Sequence, residues 1–84
     1  MYYLYILQCA DDSLYTGITV DVDRRLSEHN DSKLGAKYTK ARRPVVLVYA
    51  KEFVDRSTAS KEENRIKQLS RAEKLELIQQ GSTT

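Results

Sequence analysis

The run from Tyr2 to Cys9 constrains the fold more than any other part of the chain. Nearly every one of its residues is aromatic, β-branched or aliphatic, which predicts a β-strand. Alternate residues of a strand point to opposite faces of its sheet, and in this run both sets are largely apolar. We therefore expect a central strand that is covered on both faces.

A second strand is predicted from Ser13 to Thr19, joined to the first by a turn at Ala10–Asp12. If the turn has three residues, Tyr5 faces Gly17 and the odd-numbered residues of both strands share one face. Tyr5 and Tyr15 are then diagonal neighbours, and the missing side chain of Gly17 leaves a gap beside Tyr5. A two-residue turn would instead move the two tyrosines to opposite faces.

Periodicity and capping signals predict the remaining elements. Val22, Leu26 and His29 recur on one face of a helix from about Asp21 to Asn30. A strand is predicted at Val45–Phe53 and a second helix at 55–69. A third helix begins at the capping box Ser70-Arg71-Ala72-Glu73 and ends near Gly81. The order β-β-α-β-α-α predicts an α/β (α+β) domain over residues 1–84, with a small antiparallel three-stranded sheet flanked by helices.

Size and composition favour an ordinary globular domain in the cytoplasm. The chain has 84 residues, which is enough for one domain with a modest core. No apolar run approaches the ~20 residues that cross a membrane, and no basic region precedes the apolar N-terminal stretch as in a secretory signal. The single cysteine, Cys9, cannot form an internal disulfide and is expected to be a buried apolar residue in a reducing compartment.

Positive charge is concentrated between Lys33 and Arg43, although the formal net charge of the chain is only +2. This basic segment contains no acidic residue and five basic ones: Lys33, Lys37, Lys40, Arg42 and Arg43. With Tyr38 among them, the segment is suited to contact phosphates and to stack on a base. A solvated basic loop without a partner is the alternative.

Five positions along the chain resemble the GIY-YIG endonuclease family, which is named for two short motifs on adjacent strands. Tyr3-Leu4-Tyr5 stands in the place of the first motif and Tyr15-Thr16-Gly17 in the place of the second. Arg25 follows ten residues after Tyr15, and His29 four residues after that. The segment Lys61–Lys67 resembles the helix that carries the metal-binding glutamate of the family. The likeness covers nearly the whole chain and is strongest to short, single-domain bacterial members.

The resemblance implies a nuclease site with assigned roles. Tyr5, Tyr15, Arg25 and His29 are the expected catalytic residues, and Glu63 the expected ligand of a single Mg²⁺ or Mn²⁺ ion. The expected nucleic-acid contacts are Gly17, Lys33, Lys37, Lys40, Arg42 and Arg43. The substrate would be DNA more readily than RNA, and the setting DNA repair or processing.

Several alternatives stay open at the level of sequence. His29 shares the apolar face of its helix and is equally suited to a packing role, and Glu62 competes with Glu63 as metal ligand. The chain also departs from the family in carrying Tyr3 at the glycine of the first motif and Ile18 where some relatives have a lysine. A nucleic-acid-binding module with little or no catalysis is therefore the second hypothesis, and a scaffold that acts through protein contacts the third.

Overall fold

Three strands form one antiparallel sheet in the computed structural model, which describes residues 1–81. Strand β1 (Tyr2–Gln8) lies between β2 (Leu14–Thr19) and β3 (Val46–Phe53). The apolar run at the N-terminus is thus the central strand, as its two apolar faces predict.

The β1–β2 hairpin has the register that a three-residue turn requires. Tyr5 pairs with Gly17, and the amide of Cys9 donates to the carbonyl of Ser13 at 2.9 Å across the turn. Asp12 adopts the left-handed conformation with φ 68°, which aspartate tolerates better than most residues. The predicted register is confirmed, so Tyr5 and Tyr15 lie on the same face of the sheet.

Four helices complete the fold: α1 (Val22–Asp31), α2 (Lys37–Lys40), α3 (Arg56–Lys67) and α4 (Arg71–Gly81). The order is β-β-α-α-β-α-α, so the α+β class is confirmed and one helix is added to the predicted order. The added α2 is a single turn inside the basic segment, too short for a hydrophobic period to reveal it. Within residues 1–81 no helix has the length and apolar character to cross a membrane.

Side-chain caps fix the starts of the later helices. Asp55 accepts a hydrogen bond of 2.8 Å from the amide of Thr58 at the start of α3. At the start of α4, Ser70 N donates to Glu73 Oε1 at 2.9 Å and Glu73 N donates to Ser70 Oγ at 3.2 Å, which confirms the predicted capping box. Helix α4 is described as far as Gly81, the residue near which its end is predicted, and residues 82–84 lie outside the described part of the chain.

The sheet is covered on both faces by different helices. The odd-numbered face of β1 carries one core cluster, into which Leu26 of α1 packs; its buried members are Tyr5, Leu7, Cys9 and Val45. The even-numbered face carries a second cluster, with Leu4 and Ile6 against Ile66 of α3 and with Leu77 and Ile78 of α4. The predicted catalytic tyrosines therefore lie on the face that α1 covers.

Candidate active site

Tyr5 and His29 form a buried polar contact between the sheet and α1. Tyr5 is 2% and His29 0% exposed, and the phenol oxygen lies 2.9 Å from His29 Nε2. Tyr5 projects from the odd-numbered face of β1, and His29 is on the side of α1 that faces it. The ring is packed, as one interpretation of His29 predicts, and it is also bonded to Tyr5; its catalytic role stays a prediction.

The second ring nitrogen of His29 determines the direction of this hydrogen bond. Nδ1 lies 2.8 Å from Thr39 Oγ1, and that hydroxyl donates its proton to the carbonyl of Ala36 at 2.9 Å. Nδ1 therefore donates to Thr39, and Nε2 accepts from Tyr5. The amide of Ala36, 3.4 Å from Nδ1, is a longer and weaker contact that does not alter this assignment.

Burial keeps both partners of the pair neutral. Desolvation lowers the pKa of His29 to about 4, and the positive charge of Arg25 adds to that shift. Desolvation also raises the pKa of Tyr5 to about 12, against the opposing effect of Arg25. A phenolate at neutral pH needs nearby positive charge, and Arg25 acts in that direction. Its effect is smaller than the cost of burying the charge, so the free protein carries a protonated Tyr5.

Tyr15 joins the pair to a row of stacked side chains. Its ring centroid lies 5.2 Å from that of His29 and 6.5 Å from that of Tyr5. On the basic segment, Tyr38 stacks on Tyr15 at 5.9 Å, and the Arg42 guanidinium lies 3.9 Å from the Tyr38 ring centroid. The Tyr38 ring is therefore in contact with two side chains of the protein itself. The sequence predicts a nucleic-acid base as its stacking partner.

Gly17 makes room for Tyr5. A Cβ atom at this position would lie 2.6 Å from the Tyr5 hydroxyl oxygen and 2.7 Å from Cζ, both closer than real contacts allow. The gap expected beside Tyr5 thus exists, and the Tyr5 ring itself fills it. A contact between Gly17 and nucleic acid stays a prediction.

Arg25 links α1 to the loop that follows it. Its Nη1 donates to Glu28 Oε1 at 2.9 Å and to the carbonyl of Leu34 at 2.7 Å. Its side chain keeps 27% of its surface exposed. Glu28 and Leu34 hold the guanidinium near the Tyr5 hydroxyl, and its exposed part remains open to an anionic ligand.

The two candidate glutamates are neighbours on α3 and have different partners. Glu63 is close enough to Tyr5 to raise the pKa of that phenol, and it pairs with Lys67 at 3.2 Å. Glu62 instead forms two hydrogen bonds to Arg65, at 2.6 and 2.8 Å. The Arg65 guanidinium lowers the pKa of Glu62, and Lys51 of β3 adds to the effect. Of the two glutamates, Glu63 is therefore the one whose charge acts on Tyr5.

The arginines of the basic segment hold the fold together. Arg43 donates to the carbonyls of His29 and Ser32 at 2.6 Å each, at the C-terminal end of α1. Arg42 pairs with Asp11 at 3.0 Å, besides covering Tyr38. Nucleic-acid contacts by these two arginines stay predictions, and their structural roles account for their placement.

The lysines of the same segment are differently placed. Lys33, Lys37 and Lys40 are exposed, and none of them has an ion-pair partner in the part of the chain that the structure describes. Three exposed positive charges thus lie on the segment that also carries Thr39 and Tyr38.

Two residues of the site were not expected from sequence. Thr39 orients His29 across ten residues of chain, and no local pattern indicates such a contact. Glu28 holds Arg25 from three residues further along α1, a spacing at which opposite charges on a helix regularly pair. The second contact was therefore open to prediction and the first was not.

The donor set suits a hard divalent cation with few protein ligands. In residues 1–81 no group of three or more histidine, cysteine, aspartate or glutamate side chains converges on one point. A lone carboxylate such as Glu63 matches Mg²⁺ or Mn²⁺, which keep several waters and take further oxygens from phosphate. A zinc site would need more nitrogen or sulfur donors than this face of the sheet offers.

Most of the chain is similar to known proteins. The family described as the GIY-YIG catalytic domain matches residues 1–76. A UPF0213 protein of Syntrophus aciditrophicus is 56% identical over 79 residues, covering 94% of this chain and 91% of that protein. A UPF0213 protein of Staphylococcus haemolyticus is 52% identical over 79 residues, covering 94% and 95%.

Solved structures agree with this. The solution NMR structure of a UPF0213 protein from Bacillus halodurans is 45% identical and has a TM-score of 0.63, covering 99% of this chain and 89% of that one. A second solution NMR structure, of a protein from E. faecalis, is 42% identical with a TM-score of 0.61, covering 90% and 81%. GIY-YIG domains are nuclease domains that generally use divalent metal ions and act on DNA. The chain belongs to the GIY-YIG family, and its relatives at this level of similarity are short UPF0213 proteins.

Proposed function

We propose that this protein is a metal-dependent endonuclease that hydrolyses phosphodiester bonds in DNA. The observation that carries the proposal is the position of the Tyr5 hydroxyl. It is bonded to His29 Nε2, and the charges of Arg25 and Glu63 both affect its pKa, Arg25 lowering it and Glu63 raising it. A proton acceptor, a phosphate-binding cation and a metal ligand thus surround one hydroxyl group. A purely structural tyrosine would need only the first of these contacts.

The Tyr5–His29 pair supplies a route for the proton of the attacking water. As water attacks phosphorus, Tyr5 takes a proton from it and passes its own proton to His29 Nε2, while Nδ1 stays bonded to Thr39. The new P–O bond replaces the bond to the leaving oxygen, which takes a proton from solvent. Both transfers occur together, since the raised pKa of Tyr5 and the lowered pKa of His29 disfavour either ion alone. His29 then returns its proton to solvent through Tyr5, so that both residues are neutral again.

Arg25 and Glu63 act on the charge of the phosphate. The exposed part of the Arg25 guanidinium is available to a non-bridging oxygen, and Glu28 holds the side chain in place. Glu63 would hold Mg²⁺ or Mn²⁺, which supplies neutralisation of the phosphate and of the leaving oxygen when bound. Tyr15 packs edge-on against His29 and so fixes the plane of the imidazole.

The exposed lysines would hold the DNA backbone beside this centre. Lys33, Lys37 and Lys40 are exposed positive charges of the basic segment, and phosphate contacts by such lysines give salt-dependent affinity without sequence preference. We favour DNA over RNA as the substrate, DNA repair or processing as the setting, and the cytoplasm as the location.

Cleavage assays with paired glutamate variants test the proposal. Purified protein is incubated with branched, single-stranded and duplex DNA in the presence of Mg²⁺ or Mn²⁺. Glu63→Gln should abolish cleavage, and Glu62→Gln, the matched change at the neighbouring residue that pairs with Arg65, should retain it. Cleavage that persists unchanged in Glu63→Gln overturns the mechanism.

A nucleic-acid-binding module is the second candidate, and two observations favour it. Ile18 stands where some relatives carry a lysine, and the pKa of Tyr5 is raised to about 12. This candidate requires DNA binding that weakens with salt and no metal-dependent cutting of any of the three substrates. Binding without cleavage would therefore replace the first candidate with this one.

A further inference from the structure

Leu34 is a large apolar side chain presented to solvent on a firmly held backbone. The residue is 69% exposed, yet both of its backbone polar groups are bonded. Its amide donates to Ser32 Oγ at 3.0 Å, and its carbonyl accepts from Arg25 Nη1 at 2.7 Å. The exposure of the side chain is therefore not the consequence of a loose loop.

The residues on either side of Leu34 are fixed on α1 as well. A Cβ atom at Gly35 would lie 2.6 Å from the carbonyl oxygen of Glu28 and 2.9 Å from His29 Cα, so the loop backbone rests directly on the helix. Arg43 also holds Ser32, because its Nη2 donates to the Ser32 carbonyl at 2.6 Å. The chain thus holds this exposed apolar side chain in a fixed position between Lys33 and Lys37.

The charge around this tip fits a nucleic-acid strand. Lys33 precedes it, Lys37 and Lys40 follow, and the segment from residue 33 to 43 has no acidic residue. The carbonyl of Leu34 is bonded to Arg25, the residue assigned to the phosphate, so a strand held by that arginine would bring a nucleobase next to the Leu34 side chain.

We propose that Leu34 packs against the face of an unstacked base beside the phosphate that Arg25 binds, and thereby selects DNA in which that base is unpaired. The inference rests on the proposed function and specifies its substrate class. A leucine side chain has no hydrogen-bonding group, so it cannot distinguish one base from another. It can distinguish a base whose face is free from one that is stacked in a duplex.

Binding of three oligonucleotides tests the inference. The probes are a perfect DNA duplex, the same duplex with one unpaired 2-aminopurine, and the corresponding single strand, each measured by fluorescence anisotropy without divalent metal. Leu34→Ser should weaken binding to the unpaired and single-stranded probes about tenfold, because apolar contact area is lost, and leave duplex binding within about twofold. Its salt dependence should equal that of the parent, since no phosphate contact is lost.

Two further variants act as controls. Leu34→Met keeps an apolar tip and should retain the parent affinities. Val54→Ser removes an equally exposed apolar residue outside the basic segment, at 72% exposure, and should have no effect. Equal loss on all three probes, no loss, or the same loss in Val54→Ser overturns the inference. Absence of DNA binding by the parent protein instead overturns the proposed function, and the inference with it.

Discussion

The Tyr5 hydroxyl and His29 Nε2 form a hydrogen bond of 2.9 Å between two side chains that are almost completely buried. The bond joins the central strand to α1, so it stabilises the packing of that helix while it orients a reactive phenol. Thr39 fixes the far side of the imidazole at 2.8 Å. Structural and chemical roles of these side chains are therefore not separable by a single substitution, and each experiment needs a matched control.

Stability should fall in acid over a window set by His29. Its pKa is lowered from 6.5 to about 4 in the folded protein, so the unfolded chain binds the proton more readily. The stabilisation by neutral, buried His29 is fully present above pH 6.5 and is lost as the pH falls toward 4. The free energy of unfolding should decrease by about 3 kcal/mol over this range. Urea unfolding at a series of pH values measures it.

His29→Gln is the control for this window. His29 is the single histidine of the chain. Carboxyl groups whose pKa is lowered in the folded protein stabilise it until the pH falls below their ordinary pKa of 3.8 to 4.5, so they do not act in this window. These groups are Asp11, Asp55, Glu62 and Glu73. The variant should be less stable at pH 7 and nearly independent of pH between 4.5 and 6.5. If the free energy of unfolding of the variant still falls between pH 6.5 and 4.5 as steeply as that of the parent, groups other than His29 cause the acid sensitivity.

Tyr5→Phe should remove catalysis and spare DNA binding. The phenol is the proposed proton carrier, and loss of such a group typically costs roughly 10²- to 10⁴-fold in rate. Tyr3→Phe is the matched control, because Tyr3 donates an exposed hydrogen bond of 2.9 Å to Glu52 and lies outside the Tyr5–His29 pair. Single-turnover cleavage rates compare the two. Similar rates in both variants would contradict the role assigned to Tyr5.

The arrangement of the hairpin was predictable because its causes are local. Alternation of side chains along β1 and the length of the turn together determine that Tyr5 faces Gly17. The capping box at Ser70 and Glu73 is equally local, and it forms as predicted. Both the hairpin register and the capping box are determined by which residues are present and by their spacing along the chain.

Features that depend on tertiary packing were beyond the sequence. The basic character of Arg43 suggested a phosphate partner, whereas the carbonyls at the end of α1 take its hydrogen bonds. The raised pKa of Tyr5 comes chiefly from burial beneath α1, which no spacing of residues expresses. The contact of Thr39 with His29 likewise depends on how the basic segment folds back over the helix.

Gly17→Ala should disturb Tyr5 from the neighbouring strand. The added methyl group would lie 2.6 Å from the phenol oxygen, so the ring must move and its bond to His29 must lengthen. We expect a loss of about 1–3 kcal/mol in the free energy of unfolding, together with a loss of cleavage. In a Tyr5→Leu background the same change should cost clearly less. Equal costs in both backgrounds would show that Gly17 serves the backbone instead of the ring.

Lys67→Gln should strengthen binding of Mn²⁺. The Lys67 ammonium lies 3.2 Å from a Glu63 carboxylate oxygen and competes with a cation for it. Removal of that competition should raise the affinity a few-fold, measured by water-proton relaxation without DNA. Arg65→Gln frees Glu62 in the same way and should change nothing, and Glu63→Gln should abolish binding. A higher affinity in Arg65→Gln would place the ion at Glu62.

Thr16→Val should stabilise the protein. Thr16 is 5% exposed, and its hydroxyl has no hydrogen-bond partner within residues 1–81. Valine has nearly the same shape and no polar atom to desolvate, so the free energy of unfolding should rise by about 1 kcal/mol. Thr39→Val is the matched control, because that hydroxyl contacts His29 and donates to Ala36. Urea unfolding should therefore give opposite signs for two chemically identical substitutions. Destabilisation by both would mean that Thr16 has a polar partner in solution, and stabilisation by both would contradict the role of Thr39 in orienting His29.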